Sequence, residues 1–196
     1  AMITINYMDR MVFGVLSPEL KKIFTWSDAD YANITFWFEV GYTFGLAFVG
    51  RILDRIGTRL GLAIALAGWC VALAMHSGMA TIIGFCLARF LLGLTESGAF
   101  PGATKAVAEW FPSRERALVA GIFNSGSNVG AILAPALVPI IFYHFGWQAA
   151  ILATAGVGLI WLAFWLTAFR SPETHPRVSP SELAHIRSDP PDAITQ

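Results

Sequence analysis

Six apolar stretches, each near the length needed to cross a bilayer, occupy most of this 196-residue chain. They fall at about residues 1–16, 31–53, 58–75, 81–104, 117–143 and 147–169, and a membrane-crossing helix needs about 20 predominantly apolar residues. Charged residues make up only 13% of the chain, against about 25% in a soluble domain. The expected fold class is all-α integral membrane, with six transmembrane helices in residues 1–170. Residues 171–196 are polar and Pro-rich and cannot span. The chain begins at Ala1 with no signal-peptide pattern before the first stretch, so the first helix is expected to be truncated.

Thirteen Lys and Arg balance thirteen Asp and Glu. That balance excludes a basic nucleic-acid surface and an acidic tail, so no nucleic-acid partner is expected. The basic residues are unevenly placed. Arg51, Arg55, Arg59, Lys105, Arg114, Arg116, Arg170, Arg177 and Arg187 fall between spans 2 and 3, between 4 and 5, or after 6. The alternate loops hold only Lys21 and Lys22. Positive residues mark the cytoplasmic side, so both chain ends are expected there, in a multi-pass protein of a bacterial-type cytoplasmic membrane. The lipid bilayer is then its first partner. Cys70 and Cys86 lie in apolar runs and read as small buried hydrophobes. Trp26, Trp110 and Trp147 sit near span ends, where amphipathic rings favour the interface. Gly41-x3-Gly45, Gly98-x3-Gly102 and Gly126-x3-Gly130 permit close helix approach.

Five charges lie inside spans: Asp9, Arg10, Glu39, Arg89 and Glu96. A charge in hydrocarbon is costly and faces a cavity or a partner. Arg89 and Glu96 are seven residues apart and share one helix face. Spans 1 and 4 each open a triplet of helices. In a bundle built from two inverted three-helix repeats they are equivalent, and each offers one acid and one arginine to a central cavity. Arginines there attract a carboxylate, and buried acids exchange protons. The structural alternative makes Asp9–Arg10 and Arg89–Glu96 internal ion pairs. Glu39 stands alone, and a snorkelling or loop-facing role near the outer end is equally open.

Between spans 2 and 3, Gly50, Asp54, Arg55, Gly57 and Arg59 match the Gly-x3-Asp-Arg-x-Gly-x-Arg-Arg signature of the major facilitator superfamily, with Leu60 at the last basic position. Asn6-Tyr7-Met8-Asp9-Arg10 resembles the first-helix motif of its anion:cation symporter family. Arg89-Phe90-Leu91-Leu92-Gly93-Leu94-Thr95-Glu96, followed by Phe100-Pro101, resembles the fourth-helix motif, and residues 109–117 resemble the loop after it. Residues 121–131 are similar to the fifth helix of hexuronate transporters.

The resemblance implies the N-terminal six-helix bundle of a proton-coupled symporter for a sugar-acid anion, hexuronate before galactonate or glucarate. It implies that Arg10 binds the substrate carboxylate, with Tyr7, Tyr42, Asn124, Ser127 and Asn128 as further substrate contacts. Ser127 stands where galactonate transporters have a glutamine. It implies proton coupling at Glu96 and Asp9, with Arg89 as partner or regulator of Glu96, and a cytoplasmic gate at Gly50, Asp54, Arg55, Gly57 and Arg59. The family has twelve helices, so a C-terminal six-helix bundle is the missing partner. Asp54 is expected to meet that second half, and residues 171–196 begin the linker to it, with a short helix starting near Ser179. No metal, nucleotide or covalent cofactor is indicated, and the proton is the coupling ion. Two rivals stand beside this reading. A membrane enzyme would need a ligand cluster or nucleophile, and His76, His144, His175 and His185 show no metal-ligand spacing. The other rival is a non-transporting six-helix module.

Overall fold

The computed structural model describes residues 1–189. The stretch of the expected linker after residue 189 lies outside the described residues. The chain is a bundle of helices: α1 (Met2–Phe24), α2 (Asp28–Ile56), α3 (Thr58–Met75), α4 (Ile82–Glu96), α5 (Ala99–Trp110), α6 (Ser113–Ala168) and the short α7 (Pro180–Ile186). Among the described residues, three helical stretches are long and apolar enough to cross a membrane by composition alone: Thr58–Gly78, Ile82–Trp110 and Ser113–Ala168. The other two long helices, α1 and α2, carry the buried or mid-helix charges Asp9, Arg10 and Glu39.

The helix ends follow from local chemistry. α1 runs on past the expected Leu16 to Phe24 because Pro18 is accommodated inside it. It stops where Thr25 takes the left-handed conformation (φ 56°) and the Trp26 N–H bonds the Lys21 carbonyl at 3.0 Å. Ser27 and Asp30 then form a reciprocal cap on α2: the Asp30 N–H donates to Ser27 Oγ, and the Ser27 N–H to Asp30 Oδ2 at 2.9 Å. Gly57, at φ 80°, turns the chain from α2 into α3. The expected fourth span is divided into α4 and α5. Pro101 has no N–H to offer the Ser97 carbonyl, and its ring crowds that turn, so the helix breaks at Ser97–Gly98. The expected fifth and sixth spans are two arms of α6 that meet at Gly146, whose φ of 84° reverses the chain.

The small-residue pairs sit at helix crossings. A side chain at Gly41 would strike the Phe90 carbonyl, and one at Gly93 would meet the Tyr42 nitrogen at 2.8 Å, so α2 and α4 touch through their backbones. Gly126 and Gly130, on the first arm of α6, lie against Thr4, Tyr7 and Met8 of α1. Gly158, on the second arm, lies against Trp69 and Cys70 of α3. Exchange of spans 1, 2 and 3 with 4, 5 and 6 converts the 1–5 contact into the 4–2 contact and returns the 3–6 contact to itself. The packing therefore has the symmetry of two inverted three-helix repeats.

One end of the bundle holds an aromatic cluster in which Phe13, Phe24, Trp26, Phe85 and Trp147 pack with ring centroids 4.7–6.5 Å apart. Trp26 and Trp147 are buried in it rather than facing headgroups. His76, between the third and fourth apolar stretches, is buried beside Phe13 and Phe85. The basic segments collect at the opposite end. There the Trp165 indole donates to the Arg59 carbonyl at 3.0 Å, and the Trp110 indole to the Arg170 carbonyl at 3.2 Å.

Candidate functional site

Asp9, Arg10, Arg89 and Glu96 are all brought inside the bundle, but not in the within-helix pairs of the structural alternative. Arg10 of α1 reaches across to α4, where its Nε donates to Glu96 Oε2 at 3.1 Å. The Glu96 side chain is completely buried, whereas 26% of the Arg10 side chain is exposed, so the pair opens at the surface of the bundle on its arginine side. Glu96 Oε1 has no partner among the described residues. The Arg10 guanidinium carbon lies 4.4 Å from the Tyr42 ring centre, 5.1 Å from Phe38 and 5.9 Å from Tyr7. Tyr7, one turn before Arg10 on its own helix, and Tyr42, on the helix packed against α4, thus wall the cation with aromatic faces.

Asp9 and Arg10 are adjacent, so their side chains diverge by about 100° around α1. Asp9 points into the interior and accepts a hydrogen bond from the Trp69 indole at 3.0 Å. Its Oδ1 is buried without a partner. Arg89 is also buried, with its guanidinium carbon 3.7 Å from the Phe13 ring centre and 5.8 Å from Phe38. It has no hydrogen-bond partner among the described residues, and its Nε is enclosed. Neither Asp9–Arg10 nor Arg89–Glu96 is an internal ion pair. The α-helical repeat explains this: residues seven apart share a face but are about 10 Å apart along the axis, too far for direct contact.

Asn124, Ser127 and Asn128 lie on one face of the first arm of α6. The asparagines are exposed, while the Ser127 hydroxyl donates back to the Asn124 carbonyl at 2.6 Å. Gly126 and Gly130 hold this arm against α1 beside Tyr7, but none of the three polar side chains bonds Arg10, Tyr7 or Tyr42 among the described residues.

At the basic end, Asp54 is paired within the bundle: Lys105 Nζ donates to Asp54 Oδ1 at 2.7 Å and to the Leu53 carbonyl at 3.0 Å. Thr58 donates to Glu109, and the Arg59 guanidinium bonds the Leu166 carbonyl. Gly50 and Arg55 are exposed. A cavity of about 620 Å³ lies here, between Thr58, Arg59, Glu109, Arg170, Glu173 and Arg187. α7 starts at the Ser179 cap and folds back on the first turn of α6. Asp189 accepts from the Ser113 N–H at 2.7 Å and from Arg116 at 3.0 Å, and His185 Nε2 lies 3.0 Å from Glu115. The Ser113 hydroxyl and N–H hold the Asp189 carboxyl below its ordinary range.

Sequence reasoning missed Trp69, Lys105, Glu109 and Phe38 as partners. Trp69 and Phe38 sit among many other aromatic residues with no spacing that marks them. Lys105 carried a signal, as the one Lys between Glu96 and Glu109.

An all-helical bundle with buried charges at mid-depth and inverted-repeat packing is the architecture of one half of a membrane-transporter fold. The sequence profile of the Major Facilitator Superfamily matches residues 1–192, so the chain belongs to that family. It is 31% identical to a galacturonate transporter of Dickeya chrysanthemi, over 94% of this chain and 53% of that protein. It is 29% identical to a hexuronate transporter of Escherichia coli K12, over 93% of this chain and 42% of that protein. The chain thus spans about half the length of these relatives. Its fold matches, with a TM-score of 0.76, the crystal structure of a bacterial homologue of the human lysosomal transporter Spinster, at 21% identity and covering 87% of this chain and 43% of that one.

Proposed function

We propose that this chain works as one half of a proton-coupled symporter for a hexuronate-type sugar acid, facing a second six-helix bundle across the surface on which Arg10 opens. The observation that carries the proposal is the Arg10–Glu96 bond. One guanidinium serves a fully buried carboxylate on one side and an aromatic-walled opening on the other. A proton on Glu96 neutralises it and frees Arg10 to hold a substrate carboxylate. A substrate carboxylate competes with Glu96 for the same donors. Proton and anion are thereby linked through one arginine, and by reciprocity each favours the arrival of the other.

In this proposal Tyr7 and Tyr42 bracket the sugar ring, Asn124 and Asn128 meet its hydroxyls, and Ser127 leaves room where a longer side chain would restrict it. Asp9, held by Trp69, is the secondary proton site. Arg89 biases the potential around Glu96. The Asp54–Lys105 pair and Arg59 close the cytoplasmic end, with both chain ends on that side of a bacterial-type cytoplasmic membrane. Residues 171–196 belong to the linker between the bundles. No cofactor beyond the coupled proton enters this scheme.

The test is uptake of labelled glucuronate by the full-length protein in proteoliposomes, with and without an inward proton gradient. Wild-type protein accumulates glucuronate only with the gradient. Glu96→Gln retains exchange of labelled for unlabelled glucuronate but loses gradient-driven accumulation. Unchanged accumulation in that variant would remove Glu96 from the coupling step.

A further inference from the structure

We infer that Trp69 is the positioning residue of the proton site at Asp9: its indole N–H decides which carboxylate oxygen takes the proton and sets the pH range over which it does so. The inference rests on the reading of Asp9 as a proton site.

Arg10 turns toward α4 and the surface of the bundle. Asp9 turns into the seam where α1 meets α3 and the second arm of α6. Neither Asp9 nor Trp69 has any exposed surface. Both are enclosed by this chain's own helices, so a second bundle has no surface of either to meet.

Trp69 Nε1–H donates to Asp9 Oδ2 at 3.0 Å. An indole donates and cannot accept. The bond therefore serves the ionised carboxylate best, and it leaves the proton of the neutral acid to Oδ1. Oδ1 is buried with no partner among the described residues. The donor is also held in place. A side chain at Gly158 would strike Cys70 Sγ and lie 3.7 Å from Trp69 Nε1, so the second arm of α6 closes over the indole.

The other charged and titratable groups around the seam have partners elsewhere or carry no charge. On α4, Glu96 is bonded by Arg10, and Arg89 packs on Phe13 and Phe38. On α5, Lys105 holds Asp54, and Glu109 accepts from Thr58. α3 adds the Cys70 thiol, and α6 carries no Asp, Glu, Lys or Arg after Arg116. The Thr154 hydroxyl stands close to Asp9 but donates to the Ile151 carbonyl at 2.9 Å. The indole bond is thus the direct control on the charge of Asp9, because a hydrogen bond to the charged form of an acid favours that form.

The experiment is the outer-pH profile of gradient-driven glucuronate uptake by the full-length protein in proteoliposomes. Trp69→Phe removes the donor and keeps an aromatic ring. Trp69→benzothienylalanine replaces the N–H by sulfur at nearly unchanged size, and so separates loss of the bond from loss of packing. In both, the alkaline midpoint of uptake is expected to rise by about one to two pH units, the worth of one hydrogen bond to a charged group. Trp161→Phe is the matched control: its indole N–H is buried on α6 without a partner among the described residues, and the midpoint stays in place. In an Asp9→Asn background Trp69→Phe adds no further shift. An unmoved midpoint in Trp69→benzothienylalanine overturns the inference, and so does an equal shift in Trp161→Phe or in the Asp9→Asn background. Asp9→Asn with the wild-type pH profile overturns instead the reading of Asp9 as a proton site, and the inference with it.

Discussion

Arg10 and Arg89 occupy helices that the inverted repeat makes equivalent, yet they live in opposite circumstances. Arg10 has a carboxylate at 3.1 Å, three aromatic faces and an opening to the surface. Arg89 is buried against Phe13 and Phe38 with no carboxylate bonded to it among the described residues. Pseudo-symmetry thus places two cations at similar depth without making their roles equal. The difference lies in which partner each helix meets. α1 crosses α4 at the level of Glu96, whereas α4 meets α1 at Phe13.

The largest effect that tests this contrast is on transport. Arg10→Ala in the full-length protein is expected to lower glucuronate uptake at least about 100-fold, because it removes the anchor and strands Glu96. An equal loss of substrate affinity in Arg89→Met, measured by binding rather than uptake, would break the contrast.

Stability should separate the two arginines next. Arg10→Met leaves a buried carboxylate without its counter-charge, a change that costs about 3–5 kcal/mol. Arg89→Met replaces an unpaired buried cation with an apolar chain of similar length, and is expected to be neutral or stabilising by about 1–4 kcal/mol. Thermal unfolding in detergent reads both, and a drop in Tm for Arg89→Met as large as for Arg10→Met would mean that Arg89 has a partner of equal worth.

The helix crossing that brings Glu96 to Arg10 is open to a smaller test. Gly93→Ala drives a methyl group into the Phe38 carbonyl and the Tyr42 nitrogen, for an expected loss of about 1–3 kcal/mol. Gly156→Ala, with nothing within 4 Å of the new methyl, should instead gain up to about 1 kcal/mol from helix propensity. Matching Tm shifts for the two would indicate that α2 and α4 do not touch as described.

The smallest effect belongs to the tail. Asp189 has a lowered pKa in the folded chain, so its contribution to docking of α7 is present above the ordinary carboxylate range and fades as pH falls through the depressed value. Hydrogen exchange at residues 180–188 should therefore quicken relative to intrinsic rates as pH falls into strong acid. Asp189→Asn should reduce that acid change and quicken exchange at pH 7.

Much of the architecture was legible before any coordinates. Apolar length marked the spans, and the uneven placement of arginines marked two ends that the bundle does keep apart. The three Gly-x3-Gly pairs fell at close approaches because only small residues let helix backbones meet. Less legible were the helix boundaries. Apolar length alone did not reveal that Pro101 would divide the fourth span, that α1 would carry Pro18 inside it, or that the last two spans would meet at a single reversed glycine.

The partners were not legible at all. Asp54 was expected to meet a second bundle, and within this chain it holds Lys105. The four charges were expected to face a shared cavity, with pairs within each helix as the alternative, and formed one pair between helices, one indole bond and one aromatic enclosure. Helical periodicity tells which residues share a face of their own helix, since the repeat is a local property of the backbone. It does not tell which face of another helix arrives opposite, or at what height. By itself, then, the sequence determined that this chain is a membrane bundle with charges at mid-depth. Only the tertiary structure decided that Arg10 answers to Glu96 and Asp9 to Trp69, because crossing level and rotation between helices are set by packing over the whole bundle.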